Sequence, residues 1–188
     1  LTIGSSAFSK NPLSSVTIPS SLVNIGLYAF QYNEALMTLT LSEGVENIGA
    51  SAFRDANISS IVFPSTILTI GSNAFDDNNL STLVLPEGLT TIGSTSFSHN
   101  ALTSVTIPNT VTSVASRAFM WSGAVTSLTI GTGVTQIADT AFYDLGVTTL
   151  NIPGNVTTIG ADAFKDMDNL TTLTLNNGLT TIGSMAFR

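Results

Sequence analysis

The 188-residue chain carries one histidine, His99, no cysteine, and 12 acidic against 5 basic residues, for a formal net charge of −7. This inventory bounds the chemistry. A Ser-His-Asp nucleophile would have one conceivable base, and no G-x-S-x-G elbow presents a serine to it. A structural zinc site draws four ligands mostly from His and Cys, which one His and no Cys cannot supply. Gly131-Thr132-Gly133 lacks the third glycine of a dinucleotide loop and reads as a turn variant, and there is no Walker-type Gly-Lys-Ser/Thr. The expectation is therefore a chain without catalytic residues, cofactor or metal.

Two polar sets could still bind something. Asp55, Asp76, Asp77, Asp144, Asp166 and Asp168 cluster after phenylalanines. Calcium takes carboxylate and carbonyl oxygens, but neither an EF-hand spacing nor a glycine-rich nonapeptide is present, so a solvated acidic turn is the favoured reading. Asn-x-Ser/Thr triplets stand at Asn57, Asn79, Asn155 and Asn169. These asparagines read as turn formers, open to modification only in a glycosylating host. Five basic residues on an acidic chain argue against a nucleic-acid partner. The apolar runs are too short for a membrane-spanning helix, so no membrane insertion is expected.

The elements that must position these residues come from a repeat. Phe recurs at 8, 30, 53, 75, 97, 119, 142, 164 and 187, at spacings of 22 or 23, and follows Ala everywhere except at Ser96-Phe97. Four residues before that Ala or Ser stands Ile or Val, followed by Gly seven times and by Ala115 and Ala138 otherwise. Beyond Phe comes L-x-x-L-x-L, as in Leu102, Val105 and Ile107, often closed by Pro. The alternation reads as a short strand with inward aliphatics, and Pro stops its ladder. A second short extended piece, such as Thr91-Ile92, then leads to Gly and a tight turn. G-x-x-A-F is too short for a stable helix and is expected to be a 3₁₀ or single helical turn. One coil buries little alone, whereas stacked coils share a continuous core.

These recurring I-G-x-x-A-F and L-x-x-L-x-L-P elements resemble the leucine-rich repeats, specifically the Treponema-type or BspA-like class of bacterial surface proteins. The resemblance spans residues 1–188. It implies a right-handed repeat solenoid of about eight 22–23-residue coils, with a parallel sheet on the concave face. The short second strands and 3₁₀ turns would lie on the other side. A single domain over 1–188 is expected, a fragment without capping segments, whose exposed end coils would favour end-to-end self-association.

Binding positions are sought where the repeat departs from itself. The outward strand positions form a ladder of Ser and Thr broken by an apolar pair, Val62 and Val84. A hydroxyl ladder suits a pleated surface, so its structural reading is favoured over a docking one. The second position past Phe is more varied: Lys10, Tyr32, Asp55, Asp77, His99, Trp121, Asp144 and Asp166. His99, Met120, Trp121 and Tyr143 come from three successive coils and are expected to form one aromatic patch, with Tyr32 earlier on the same rim. By resemblance the chain is expected to be an extracellular, cell-surface interaction module that attaches to a host or matrix protein. A rigid spacer and a glycan-binding module are the alternatives.

Overall fold

A computed structural model describes all 188 residues, and it is a parallel-sheet solenoid without helices. The continuous element is a nine-stranded parallel sheet. It is built from the two-residue strands Thr2–Ile3, Asn24–Ile25, Asn47–Ile48, Thr69–Ile70, Thr91–Ile92, Ser113–Val114, Gln136–Ile137, Thr158–Ile159 and Thr181–Ile182. Each pairs with its equivalent one coil away, Ile over Ile except at Val114, which lies between Ile92 and Ile137. The L-x-L strands are longer but pair only two by two: Ser15–Ile18 with Thr38–Leu41, Ser104–Thr106 with Ser127–Thr129, and Thr149–Ile152 with Thr172–Leu175. The expected parallel pairing on the L-x-L side is thus present, while the short second strands carry the unbroken ladder. Between the first two pairs, the L-x-L segments holding Val62 and Val84 form no strand beyond a bridge from Thr38 to Ser60. Phe63, in place of a smaller aliphatic there, packs edge-on against Phe75 and Phe97 at 5.5 and 6.4 Å. A groove of about 490 Å³ opens beside it, between Thr38–Leu41 and Ser59–Pro64.

The corners differ from the expected 3₁₀ turns, and the backbone shows why. In all nine coils the residue two before Phe has φ between 53° and 59°, and wherever the chain continues the residue two after Phe is also left-handed, as in Ser6/Lys10 and Thr95/His99. A right-handed helical turn cannot pass through two left-handed residues four apart. Instead, successive i→i+3 turns close the corner, as Ala74 N–H to Gly71 O at 3.3 Å and Asp76 N–H to Asn73 O at 3.3 Å. Alternate amides then point along the solenoid axis. Asn73, Phe75 and Asp77 donate to Ser94, Ser96 and Ser98 of the next coil at 2.8, 2.8 and 3.2 Å. Proline opens the opposite corner, where Leu89 N–H reaches Pro86 O at 3.0 Å. Gly131 takes the same place, receiving Val134 N–H at 3.2 Å, so the Gly-Thr-Gly run is a turn variant.

Inside, the nine registered phenylalanines form one column. Neighbouring rings are stacked at centroid distances of 5.0 to 5.6 Å, and Phe53 through Phe164 are fully buried. Offset ring pairs contribute about 1 kcal/mol each beyond the area they bury. The aliphatic positions complete a single core of 48 buried residues. Outside, threonine hydroxyls continue the coil-to-coil bonding, as Thr90 Oγ1 to Leu68 O at 3.0 Å and Thr180 Oγ1 to Thr157 O at 2.9 Å. Threonine hydroxyls along the chain thus bind the neighbouring coil's backbone.

Glycine after the short strand accommodates a close approach of neighbouring coils, as at Gly93. A Cβ on Gly93 would stand 2.4 Å from Ser72 N, where no atom can sit. Gly93 N–H donates to Ile70 O at 2.8 Å, as Gly71 does to Ile48 O. Where Ala115 stands in the same place, the register with the preceding strand shrinks to Ile92 with Val114. Gly93→Ala is expected to lower stability by about 1–3 kcal/mol through this overpacking, measured as a lower denaturation midpoint. The opposite change is available at Ser96, which fills an Ala slot, is fully buried, and leaves its Oγ without a partner. Ser96→Ala is expected to raise stability by about 1 kcal/mol, the desolvation penalty of an unpaired hydroxyl. A lower melting temperature in that variant would show the hydroxyl to be satisfied.

Candidate interaction surface on the post-Phe rim

The second position past Phe is left-handed in every coil from Lys10 to Asp166. That backbone state tolerates Asp, Asn and His better than bulky side chains. The recurrence of Asp55, Asp77, His99, Asp144 and Asp166 on this rim is thus partly a conformational selection. Trp121, at φ 57°, and Tyr32, at φ 58°, follow no such preference. Trp121 is held there by its neighbours: Trp121 N–H donates to Tyr143 O at 3.1 Å, and His99 N–H donates to Met120 O at 3.2 Å.

The structure brings three of the expected residues together. The His99 and Trp121 rings lie 4.4 Å apart and tilted, and Tyr143 meets Trp121 edge-on at 6.4 Å. Trp121 is 45% exposed, so the cluster presents an indole to solvent. Met120, although next to Trp121 in sequence, is buried and adds little to the exposed cluster. Tyr32 sits apart on an early coil, beneath Lys10 Nζ at 5.5 Å from its ring. Val62 and Val84, 83% and 76% exposed, lie on the L-x-L side and not on the rim, and Val62 lines the groove.

Charged groups flank the aromatic cluster on both sides. Toward the C-terminus, Tyr143 Oη donates to Asp166 Oδ2, and Lys165 Nζ lies 5.7 Å from the Tyr143 ring. The hydrogen bond to Asp166 holds the Tyr143 hydroxyl above its ordinary pKa. Burial raises Asp144, and the like charges of Asp166 and Asp168 raise it further. Toward the N-terminus, Asp76 is a buried carboxylate that the sequence placed among solvated turns. Its Oδ1 lies 3.2 Å from His99 Nδ1, and its Oδ2 lies 3.3 Å from both Arg54 Nε and Asn73 Nδ2. Arg54 also pairs with Asp55 at 3.3 Å. Burial raises Asp55, while Arg54 lowers it and Asp77, Asp76 and Glu34 oppose ionisation.

Sequence reasoning also passed over the asparagines three residues beyond Phe. Asn100 Nδ2 reaches Phe75 O of the preceding coil at 2.9 Å and Phe97 O at 3.1 Å, while its Oδ1 accepts from Leu80 N–H at 3.0 Å. Asn33 and Asn78 bridge to Phe8 O and Phe53 O in the same way, each at 2.8 Å. The recurrence of Asn at that offset was the available signal. Of the Asn-x-Ser/Thr asparagines, Asn57, Asn79 and Asn169 are exposed, and Asn155 Nδ2 bonds Val134 O.

The repeat geometry has counterparts among known proteins. The BspA type leucine-rich repeat region matches this chain in six copies, over residues 1–125 and 90–188. The chain belongs to that family. This BspA-type chain superposes over its full length on 67% of a leucine-rich repeat protein from Bacteroides ovatus, with a TM-score of 0.71 and 20% identity. It is 28% identical to a leucine-rich cell surface protein from Faecalibacterium prausnitzii, covering 92% of this chain and 42% of that one, with a TM-score of 0.59. The pneumococcal vaccine antigen PcpA is similar at 21% identity and a TM-score of 0.55, over 97% of this chain and half of that protein. No curated protein matches. The family is typical of bacterial surface proteins.

Asp144 provides a test of the rim's electrostatics. A carboxyl raised in the folded state binds its proton more tightly there than in the unfolded chain, so its effect on stability turns unfavourable as pH rises through the carboxylate range. Asp144→Asn keeps a side chain suited to the left-handed backbone and removes the repulsion from Asp166 and Asp168. The variant is expected to melt higher than wild type at pH 7, and the gain should vanish in acid below the carboxylate range. Equal melting curves at both pH values would show that solvent screens these charges completely.

Proposed function

We propose that this BspA-type chain is the interaction module of a bacterial cell-surface protein, displayed outside the cell, and that it docks a partner protein through His99, Trp121 and Tyr143. The observation that carries this reading is Trp121. A large exposed aromatic occupies a left-handed backbone position, ordered between two further rings from the adjacent coils. A core does not need that residue there, and equivalent coils place Asp at the same spot. Aromatic anchors whose ordering is already complete lose little entropy on association and are enriched where binding energy concentrates.

Attachment to a host or extracellular-matrix protein is the form of that interaction we favour. It is supported by the surface character of the family and by relatives described as a cell surface protein and a vaccine antigen. A glycan partner is the second reading, favoured by an exposed indole with carboxylates on both flanks. The double variant Trp121→Ala/Tyr143→Ala is expected to weaken binding to an immobilised matrix-protein panel at least ~30-fold, the loss of about 2 kcal/mol typical of a hot spot. Its circular dichroism should stay that of the wild type. A glycan-array signal abolished by Trp121→Ala would move the partner to the second class. No saturable binding to either panel would leave the chain a rigid spacer and overturn the proposal.

A further inference from the structure

The side of the rim that faces away from Tyr143 holds a second arrangement, which shares His99 with the docking surface but not Trp121 or Tyr143. His99 Nδ1 is the focus of three oxygens: Ser98 Oγ at 3.0 Å, Asp76 Oδ1 at 3.2 Å and Asp77 Oδ1 at 3.7 Å. An imidazole nitrogen offers at most one proton, so a hydrogen bond can serve only one of them. The donor atoms of Asp76, Asp77 and His99 all lie within 4.8 Å of one another. Donors bound at about 2.0–2.1 Å in a tetrahedron stand about 3.3 Å apart. The two His-to-carboxylate distances, 3.2 and 3.7 Å, already bracket that spacing.

The surroundings suit a cation. Three carboxyl groups, Asp55, Asp76 and Asp77, stand against one guanidinium, Arg54, which pairs with Asp55 and Asp76 and leaves Asp77 to His99. Arg54 and Asn73 engage Oδ2 of Asp76, which orients the buried carboxylate and leaves Oδ1 for His99. Such outer contacts hold ligands in place around metals. Asp77 and His99 occupy equivalent left-handed positions, both at φ 52°, and the bond from Asp77 N–H to Ser98 O at 3.2 Å fixes one coil against the next. The Trp121 ring packs on His99 and limits its rotation.

We infer that Asp76, Asp77 and His99 form a binding site for a divalent transition-metal ion of the zinc type, with solvent completing its coordination. One nitrogen and two carboxylate oxygens are a borderline donor set that suits zinc or nickel. Calcium requires six to eight oxygens, and the two carboxylates offer too few. The sequence concealed this site because Asp76 and His99 lie 23 residues apart, in different coils.

Isothermal titration of the intact, EDTA-treated chain with zinc chloride tests the inference. One ion per chain is expected, with a higher melting temperature in the presence of zinc. His99→Ala and Asp77→Asn, both at exposed positions, should each weaken binding by roughly tenfold or more and abolish the thermal shift. Trp121→Ala should retain the ion, which separates this site from the docking reading. No saturable heat at millimolar zinc, or equal affinity in His99→Ala, would overturn the inference. So would calcium chloride binding as tightly as zinc and surviving His99→Ala, since that pattern belongs to an acidic surface alone.

Discussion

Every feature of this chain depends on the hydrogen bonding of each coil's backbone to the coil above and below it. Of 98 backbone hydrogen bonds, only 15 lie within regular strands. Many of the others join residues 22 or 23 positions apart through turns and corners, so the bonding passes around the coil and not along one sheet. The constraint is translational. A residue must sit over its equivalent, or both coils lose partners. That is why rings stack on rings, why threonine hydroxyls find the carbonyl one coil back, and why a methyl group added at Gly93 crowds the preceding coil. It also leaves few ways to vary: an outward side chain can change freely, while an inward one is held by a column of identical neighbours.

The architecture was legible in the sequence because a translational repeat writes itself as a period. The Phe spacing, the inward aliphatics and the Pro-closed strands all appear where the pattern places them. Conformation inside the period was harder to read. Nothing in G-x-x-A-F announces two left-handed residues, since Ser6, Tyr28, Thr95 and Arg117 all occupy one of those positions without being favoured there. Coil-to-coil bonding imposes the conformation and overrides local preference. The continuity of the sheet was hidden for the same reason. Two-residue strands are weak by propensity, yet nine of them in register form the unbroken ladder, while the longer L-x-L runs separate near Phe63.

The rim shows the same limit at the level of side chains. That His99, Trp121 and Tyr143 meet follows from their shared offset past Phe, which the sequence displays. Met120 is one residue from Trp121, yet it is buried where Trp121 is exposed, a difference that the offset alone does not announce. The contact between Asp76 and His99 joins positions that differ in offset by one, a diagonal between coils that a column-wise reading does not reveal. Burial of Asp76 is likewise a property of two coils together, for its cover comes from the coils carrying Arg54 and His99.

The 23-residue coils add their extra residue only in the turn that follows the rim, where Ser122-Gly123 is one instance. Corners, short strands and the ring column keep the same length throughout. A coil therefore behaves as an interchangeable tile whose upper and lower faces match those of the others. Gene duplication, deletion or shuffling of whole tiles would preserve the interior while changing which rim side chains become neighbours. The specificity of such a surface is stored in the order of its tiles, and a lineage can rewrite it by recombination without passing through an unfolded intermediate sequence.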